Sequence, residues 1–525
     1  MLPSLSRLSP KKRAFLTGTL LLTGTGFLCR ILGFFYRIFM SRTIGAEGLG
    51  IYNTVHPVFG ICFAVCAGSI QTALSQYVAA NQKKGRSVFR TGLCISVTLS
   101  VLLAIFICRH AAFIAERFLL EPRCEPYLLV MALSVPFAAL HACINGYYYG
   151  MQKSKVPAFS QVAEQIIRMT AVFGIVQVMQ QEEREITVSL AVYGHLIGEA
   201  ASAAFTLLCL IFCPPEGNKH SSSHLTRPGS AFSIRFFQEN ALPLMALALP
   251  LMGNRLVLNL LASAEAIWIP NRLTAFGLSS SDAFSVYGVL TGMALPFIMF
   301  PSAITNSIAV LLLPTVAQAQ AEGRREQISS TISMALRYSL YMGILCTGIF
   351  CIYGHELGTG VFHNPSAGAY IRALGWLCPF MYLATTLGSI LNGLGKTSAT
   401  FLQNVCTMLL RLTFVLFGIP NLGMKAYLWG ILASEIFLAL WHLITLREFA
   451  AFSWNGAEMI GKPVILMILG CWLNQKFWLF LLPLLRPLPL EPGAAWAFLG
   501  TALKIGTLCG IYGAFLIGWH VLTRR

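Results

Sequence analysis

The chain has 525 residues, of which 56% are hydrophobic and only 11% charged, with a formal net charge of +17. A soluble chain is about a quarter charged, so this one has too few polar side chains to cover a water-facing surface. Its basic residues fall in alternate short loops rather than in one patch, and it has neither a recognition helix nor a zinc spacing, so no nucleic-acid partner is expected.

The apolar residues come in blocks of about 20 to 25, the length that crosses a bilayer. Spans are predicted near 14–41, 50–80, 88–108, 126–150, 156–180, 186–213, 240–270, 284–318, 329–353, 369–394, 398–420, 425–446, 460–484 and 496–522. Backbone polar groups in hydrocarbon must be bonded within their own segment, so each span is a helix. Lys11-Lys12-Arg13 followed by an apolar run imitates a signal peptide. The run reaches Met40 without a small-residue cleavage site and reads as a retained first span. Most of the fifteen cysteines lie inside apolar runs without any CxxC pair. They read as packing residues, and no metal or cofactor is expected.

Lys and Arg set the orientation. Arg7 and Lys11, Lys83 and Lys84, Lys153 and Lys155, Lys219 and Arg227, Arg324 and Arg325, Lys396, Arg447 and Lys462, and Arg524 and Arg525 share one side. Charges in the intervening loops are offset by acids such as Glu116, Glu121 and Glu182. The positive side is cytoplasmic, which predicts a multi-pass cytoplasmic-membrane protein with both termini inside.

The longest inside loop contains Pro214-Pro215 and Ser221-Ser222-Ser223 and reads as a linker between two halves. The halves resemble each other. Tyr127, Pro136, Gly150, Lys153 and Arg168 recur 243 positions later as Tyr370, Pro379, Gly393, Lys396 and Arg411. At an offset of 238, Ser69, Gly85 and Arg86 recur as Ser307, Gly323 and Arg324; at 236, Gly194 and Glu199 recur as Gly430 and Glu435. The expected fold is therefore an all-α polytopic membrane protein of about fourteen helices. It has a six-helix lobe (1–213), a cytoplasmic linker (214–239), a second six-helix lobe (240–446) and two additional transmembrane helices (447–525). Both lobes start on the same side, so the repeats are parallel.

No G-x-x-x-x-G-K-[ST] loop occurs, which argues against ATP-driven pumping. No Ser/His/Asp or H-E-x-x-H arrangement supports an enzyme. The informative residues are charges inside spans: Arg30 and Arg37 in the first, Arg168 in the fifth, Arg255 in the seventh and Arg411 in the eleventh. Five such arginines facing lipid would cost on the order of 13–17 kcal/mol, so they face a wet cavity, pair with acids or snorkel.

Arg30, Gly33 and Arg37 share one helix face, and two guanidiniums across a glycine gap suit a diphosphate; the alternative for Arg37 is snorkelling to the headgroups. Glu164 and Arg168 form an i,i+4 pair. At the repeat positions Asn404, Thr407 and Arg411 the acid is missing, which favours a cavity role for Arg411. Glu199 and Glu435 read as helix-to-helix hydrogen-bonding acids or as coupling acids. For Glu265, ahead of Trp268-Ile269-Pro270-Asn271-Arg272, two readings stand: coupling of a cation or proton, or pairing with Arg255 or Arg272. Asn145 and Tyr147-Tyr148-Tyr149 read as an interfacial aromatic belt, with stacking on sugars as the alternative. His56 and His141 read as packing or hydrogen-bonding residues.

The segment from Arg30 through Tyr36-Arg37 to Gly45-Ala-Glu-Gly-Leu-Gly-Ile-Tyr52 resembles the polysaccharide-transporter branch of the MATE-like (MOP) flippase superfamily. Within it the chain is most like the stage V sporulation protein B group and the Gram-positive lipid II flippases. Gly68-Ser-Ile-Gln-Thr-Ala-Leu-Ser75, Ser160-Gln-Val-Ala-Glu164, Gly198-Glu199 and Ile269-Pro-Asn-Arg-Leu273 extend the resemblance along the chain. It implies two lobes forming a V around a cationic cavity for a lipid-linked sugar pyrophosphate, with the polyprenyl tail left among membrane lipids. It also implies a cavity role for Arg30. The family's second first-helix arginine falls at Tyr36, with Arg37 one position on.

The function expected is translocation of undecaprenyl-pyrophosphate-linked saccharide by a monomer, with a coupling cation or proton. The competing reading is a cation-coupled drug exporter of the same fold. Such exporters need cavity acids, whereas this first helix offers arginines.

Overall fold

The computed structural model describes residues 10–215, 234–449, 452, 455–485 and 494–523, all in helices, turns or short connections and without a strand. The linker expected at 214–239 and the basic residues Arg7, Lys219, Arg227, Arg524 and Arg525 fall wholly or largely outside the described residues. In chain order the helices are α1 (Pro10–Thr43), α2 (Gly45–Ala80), α3 (Gly85–Arg109), α4 (Glu125–Gly150), α5 (Lys155–Gln181), α6 (Ser189–Phe212) and α7 (Ile234–Ala275). There follow α8 (Ser280–Met299), α9 (Ser302–Ala321), α10 (Arg325–Phe362), α11 (Pro365–Gly393), α12 (Thr397–Leu422), α13 (Met424–Phe449), α14 (Lys462–Leu485) and α15 (Ala494–Thr523).

Among the described residues, fifteen helices are long and apolar enough to cross a membrane. The surplus over fourteen arises at 284–318, where one continuous span was expected. Proline has no N–H and clashes with the preceding turn, and Pro301 separates α8 from α9. Counted as one interrupted span, the pair restores fourteen.

The chain forms two compact units, Met1–Ile267 and Trp268–Arg525, which divide inside α7. The first unit keeps most of α7 because that stretch packs on α2 and α3. Leu244 and Ala248 are buried in a core with Ile70, Leu74, Val88 and Ile144, and Asn240 donates to Ser87 at 2.8 Å.

Each unit repeats one close helix contact. A Cβ on Gly150, at the end of α4, would lie 2.6 Å from Val78 Cβ and 3.0 Å from the Ser75 carbonyl on α2. A Cβ on Gly393, at the end of α11, would lie 2.7 Å from the Leu313 carbonyl and 3.3 Å from Val316 Cβ on α9. These are the same pairs 243 and 238 residues apart, so the duplication read in the sequence is a duplication of packing. The residues after them, Gln152 and Gly395, both adopt positive φ and turn the chain.

In the second unit α14 and α15 are stapled to α10. Asn474 donates to Tyr353 at 2.8 Å and to the Lys504 carbonyl at 3.0 Å, while Glu356 pairs with Lys504 at 3.2 Å. Buried side-chain amides satisfied on all sides fix the register of helices that greasy contacts alone leave free to slide.

Candidate functional site

On α1, Cys29 and Tyr36 are seven residues apart and turn towards Arg168 on α5; its guanidinium lies 5.5 Å from the Tyr36 ring centre. Arg30 and Arg37 each stand one residue further, about 100° around the helix. Both are exposed, and neither makes a hydrogen bond or ion pair with a described residue. The position where the family pattern places its second arginine thus holds an inward-turned tyrosine, while Arg37 carries the charge on the open face.

A polar cluster lies behind this face in the first unit. Arg168 Nη1 sits 3.3 Å from Glu164 Oε1, the i,i+4 pair read in the sequence. Glu199, buried on α6, accepts from His141 Nε2 at 2.8 Å, and His195 Nε2 lies 3.9 Å from its other oxygen. The His195 ring in turn packs edge-on against Phe59 at 4.4 Å and against His56 at 5.5 Å. Among the described residues, Tyr36 Oη, His141 Nδ1, Arg168 Nε and His195 Nε2 are buried without a hydrogen-bond partner. Glu199 is thus a buried carboxylate flanked by two imidazoles. His195 was missed in the sequence, although its i,i+4 spacing to Glu199 was a signal.

Arg255 on α7 has a different setting. Its Nη2 donates to Thr72 Oγ1 on α2 at 3.0 Å. The guanidinium lies against Gly68, the last residue of a π-helical turn at Ala64–Gly68, so closely that a Cβ there would collide with Nη1. π-turns of this kind are frequent at functional sites. Four residues along α7, Asn259 donates to the Arg255 carbonyl at 2.9 Å and faces Gly60. A hydroxyl orients a guanidinium without neutralising it, so Arg255 keeps its full charge. Glu265 is half-buried near the end of the same unit and has a partner of its own. Arg272, in the second unit, stacks over Trp268 at 4.5 Å.

Arg411 corrects the sequence reading. The acid missing from α12 is supplied by α13: Glu435 Oε1 lies 3.3 Å from Arg411 Nη2, and Ser434 accepts from its Nε at 3.2 Å. Glu199 and Glu435 therefore take different partners, imidazole in one unit and guanidinium in the other. The aromatic belt is corrected as well. Tyr147 and Tyr148 are buried, the first stacked on Phe89 at 4.7 Å and the second donating to the Cys213 carbonyl at 2.8 Å.

A helical membrane chain of two repeated units, with charged groups set inside its spans, has the build known from membrane proteins assembled from internal repeats. The structure superposes on "Lipid II flippase MurJ, inward closed conformation" with a TM-score of 0.68 at 14% identity, covering 96% of this chain and 100% of that one. It also superposes on the inward-facing conformation of a multidrug resistance MATE family transporter, with a TM-score of 0.59 at 14% identity over 80% of this chain and 95% of that one. The chain belongs to the family described as Polysaccharide biosynthesis protein, which it matches over residues 15–320. Stage V sporulation protein B of Bacillus subtilis (strain 168) is 26% identical over 466 residues, 87% of this chain and 88% of that protein.

Proposed function

We propose that the chain is a flippase that carries an undecaprenyl-pyrophosphate-linked saccharide, lipid II or a polysaccharide repeat unit, across the cytoplasmic membrane by alternating access. The observation that carries this reading is a set of three intramembrane arginines without a carboxylate partner among the described residues: Arg30 and Arg37 on the open face of α1, and Arg255 held by Thr72. Guanidinium binds phosphate bidentately and stays charged. Three of them in hydrocarbon are tolerable only beside water and an anion. The exporter reading asks for free acids, and two acids within the spans of the first unit are engaged: Glu164 by Arg168 and Glu199 by His141. Coupling to a proton or cation fits the Glu199–His141–His195 group, and the sorting of lysine and arginine among the loops supports cytoplasmic termini. The reading covers peptidoglycan, spore-cortex and polysaccharide precursors alike.

The test is Arg30→Ala and Arg255→Ala in a strain depleted of its own flippase, with membrane insertion checked by immunoblot. Each variant should lower the outer-leaflet precursor by about tenfold, the equivalent of one charge-assisted contact. Wild-type precursor levels in both would overturn the assignment.

A further inference from the structure

A charged cavity of about 830 Å³ lies in the Trp268–Arg525 unit, where the first turns of α10 meet the end of α13. Arg325, Ser329, Ser333 and Arg337 recur every four residues along α10 and line it as one stripe, with Arg447 contributed by α13. The adjoining face of α10, with Ile328, Ile332, Ala335 and Leu336, is buried in the core. Within the stripe the two charged side chains, Arg325 and Arg337, are exposed. None of the three arginines forms an ion pair with a described residue, although Glu326 and Glu448 also line the cavity.

Depth and charge narrow the ligand. Helix α10 has 38 residues, about 57 Å at 1.5 Å per residue, against a hydrocarbon core of about 30 Å. Its first turns therefore stand at headgroup level, at the lysine- and arginine-rich end, where Lys396 also sits 4.3 Å over the Phe449 ring. Three guanidiniums against two carboxylates leave the walls one positive charge in excess, which matches a singly charged phosphodiester. A phosphate monoester or diphosphate would meet Glu326 and Glu448 with charge to spare. Met334, Tyr338 and Phe449 line the same cavity with their apolar surfaces exposed, as an amphiphile requires.

We propose that this cavity binds the phosphate-ester oxyanion of an anionic glycerophospholipid, the kind of basic pocket between helices that selects headgroups by charge. The site uses none of the arginines proposed to hold the transported substrate, and its test reads lipid retention rather than translocation.

The full chain is purified, exposed to dioleoylphosphatidylglycerol or dioleoylphosphatidylcholine, and followed by native mass spectrometry. The glycerol lipid should be retained and the choline lipid lost. The Arg325→Ala/Arg337→Ala/Arg447→Ala variant should lose about tenfold in retention, and Arg337→Gln alone should fall between. Lys425→Ala, elsewhere in the unit, should match wild type. Equal retention of both lipids, or unchanged retention in the triple variant and in Arg337→Gln, overturns the proposal. Glycerol 3-phosphate competing as well as the lipid, and losing its own binding in the triple variant, would assign the site to a soluble phosphate ester and overturn the lipid source.

Discussion

Arg255 is placed by two small neighbours on α2, one giving a hydroxyl and the other giving room. Gly68→Ala puts a methyl group where Nη1 now lies, and the guanidinium must leave Thr72. The expected result is a loss of flipping of about tenfold that adds nothing to the loss in Arg255→Ala, because both changes remove one arrangement. A double-mutant cycle in the depletion strain reads this directly; additive losses would mean that Gly68 acts through something other than Arg255. Arg411 is the contrasting case, a charge already answered. Breaking a partly buried pair from one side leaves the other charge stranded, at up to about 3 kcal/mol, so Glu435→Leu should lower Tm. Arg411→Met/Glu435→Leu should recover most of that stability. If the double variant is no more stable than Glu435→Leu, the pair is not the structural unit it is taken to be here. The sequence exposed the Glu164–Arg168 pair because both partners lie on one helix, four residues apart. It hid Glu435 from Arg411, and Glu199 from His141, because partners on different helices meet only once the helices pack.

At the scale of elements, the spans were legible because hydrocarbon imposes a length and a composition on every one of them. What escaped was local chemistry that hydropathy does not register. Pro301 splits an apolar run that remains apolar throughout. Tyr147 and Tyr148 carry the composition of a membrane-interface belt, yet α4 turns both inward. The duplication was legible at higher resolution than the helices themselves, since its matches include glycines that pack. Gly150 and Gly393 make equivalent approaches in the two units, so alanine at either should be equally unwelcome. Overpacking at a backbone contact costs about 1–3 kcal/mol. Gly150→Ala and Gly393→Ala should each lower Tm in detergent, whereas Gly174→Ala, where a Cβ meets nothing within 4 Å, should not. A drop for only one of the two would show that the repeat has lost its common packing.

For the whole molecule the count of crossings decides which side everything after Pro301 faces. If α8 and α9 each cross the membrane, the chain crosses fifteen times and its two ends lie on opposite sides. Arg324, Arg325, Lys396, Arg447 and Lys462 would then be outside, against the rule that short basic loops stay in the cytoplasm. One interrupted crossing keeps them inside, with Lys83, Lys84 and Arg86, the last of which is the repeat partner of Arg324. Reporter fusions settle the matter. Alkaline phosphatase, active only outside, should be silent when fused after Glu322 or after Arg525 and active after Glu183. A phosphatase-active fusion at Arg525 together with a silent one at Lys83 would make α8 and α9 separate crossings. Helices α10 to α13 would then run opposite to their repeat partners α3 to α6, and the repeats would no longer be parallel.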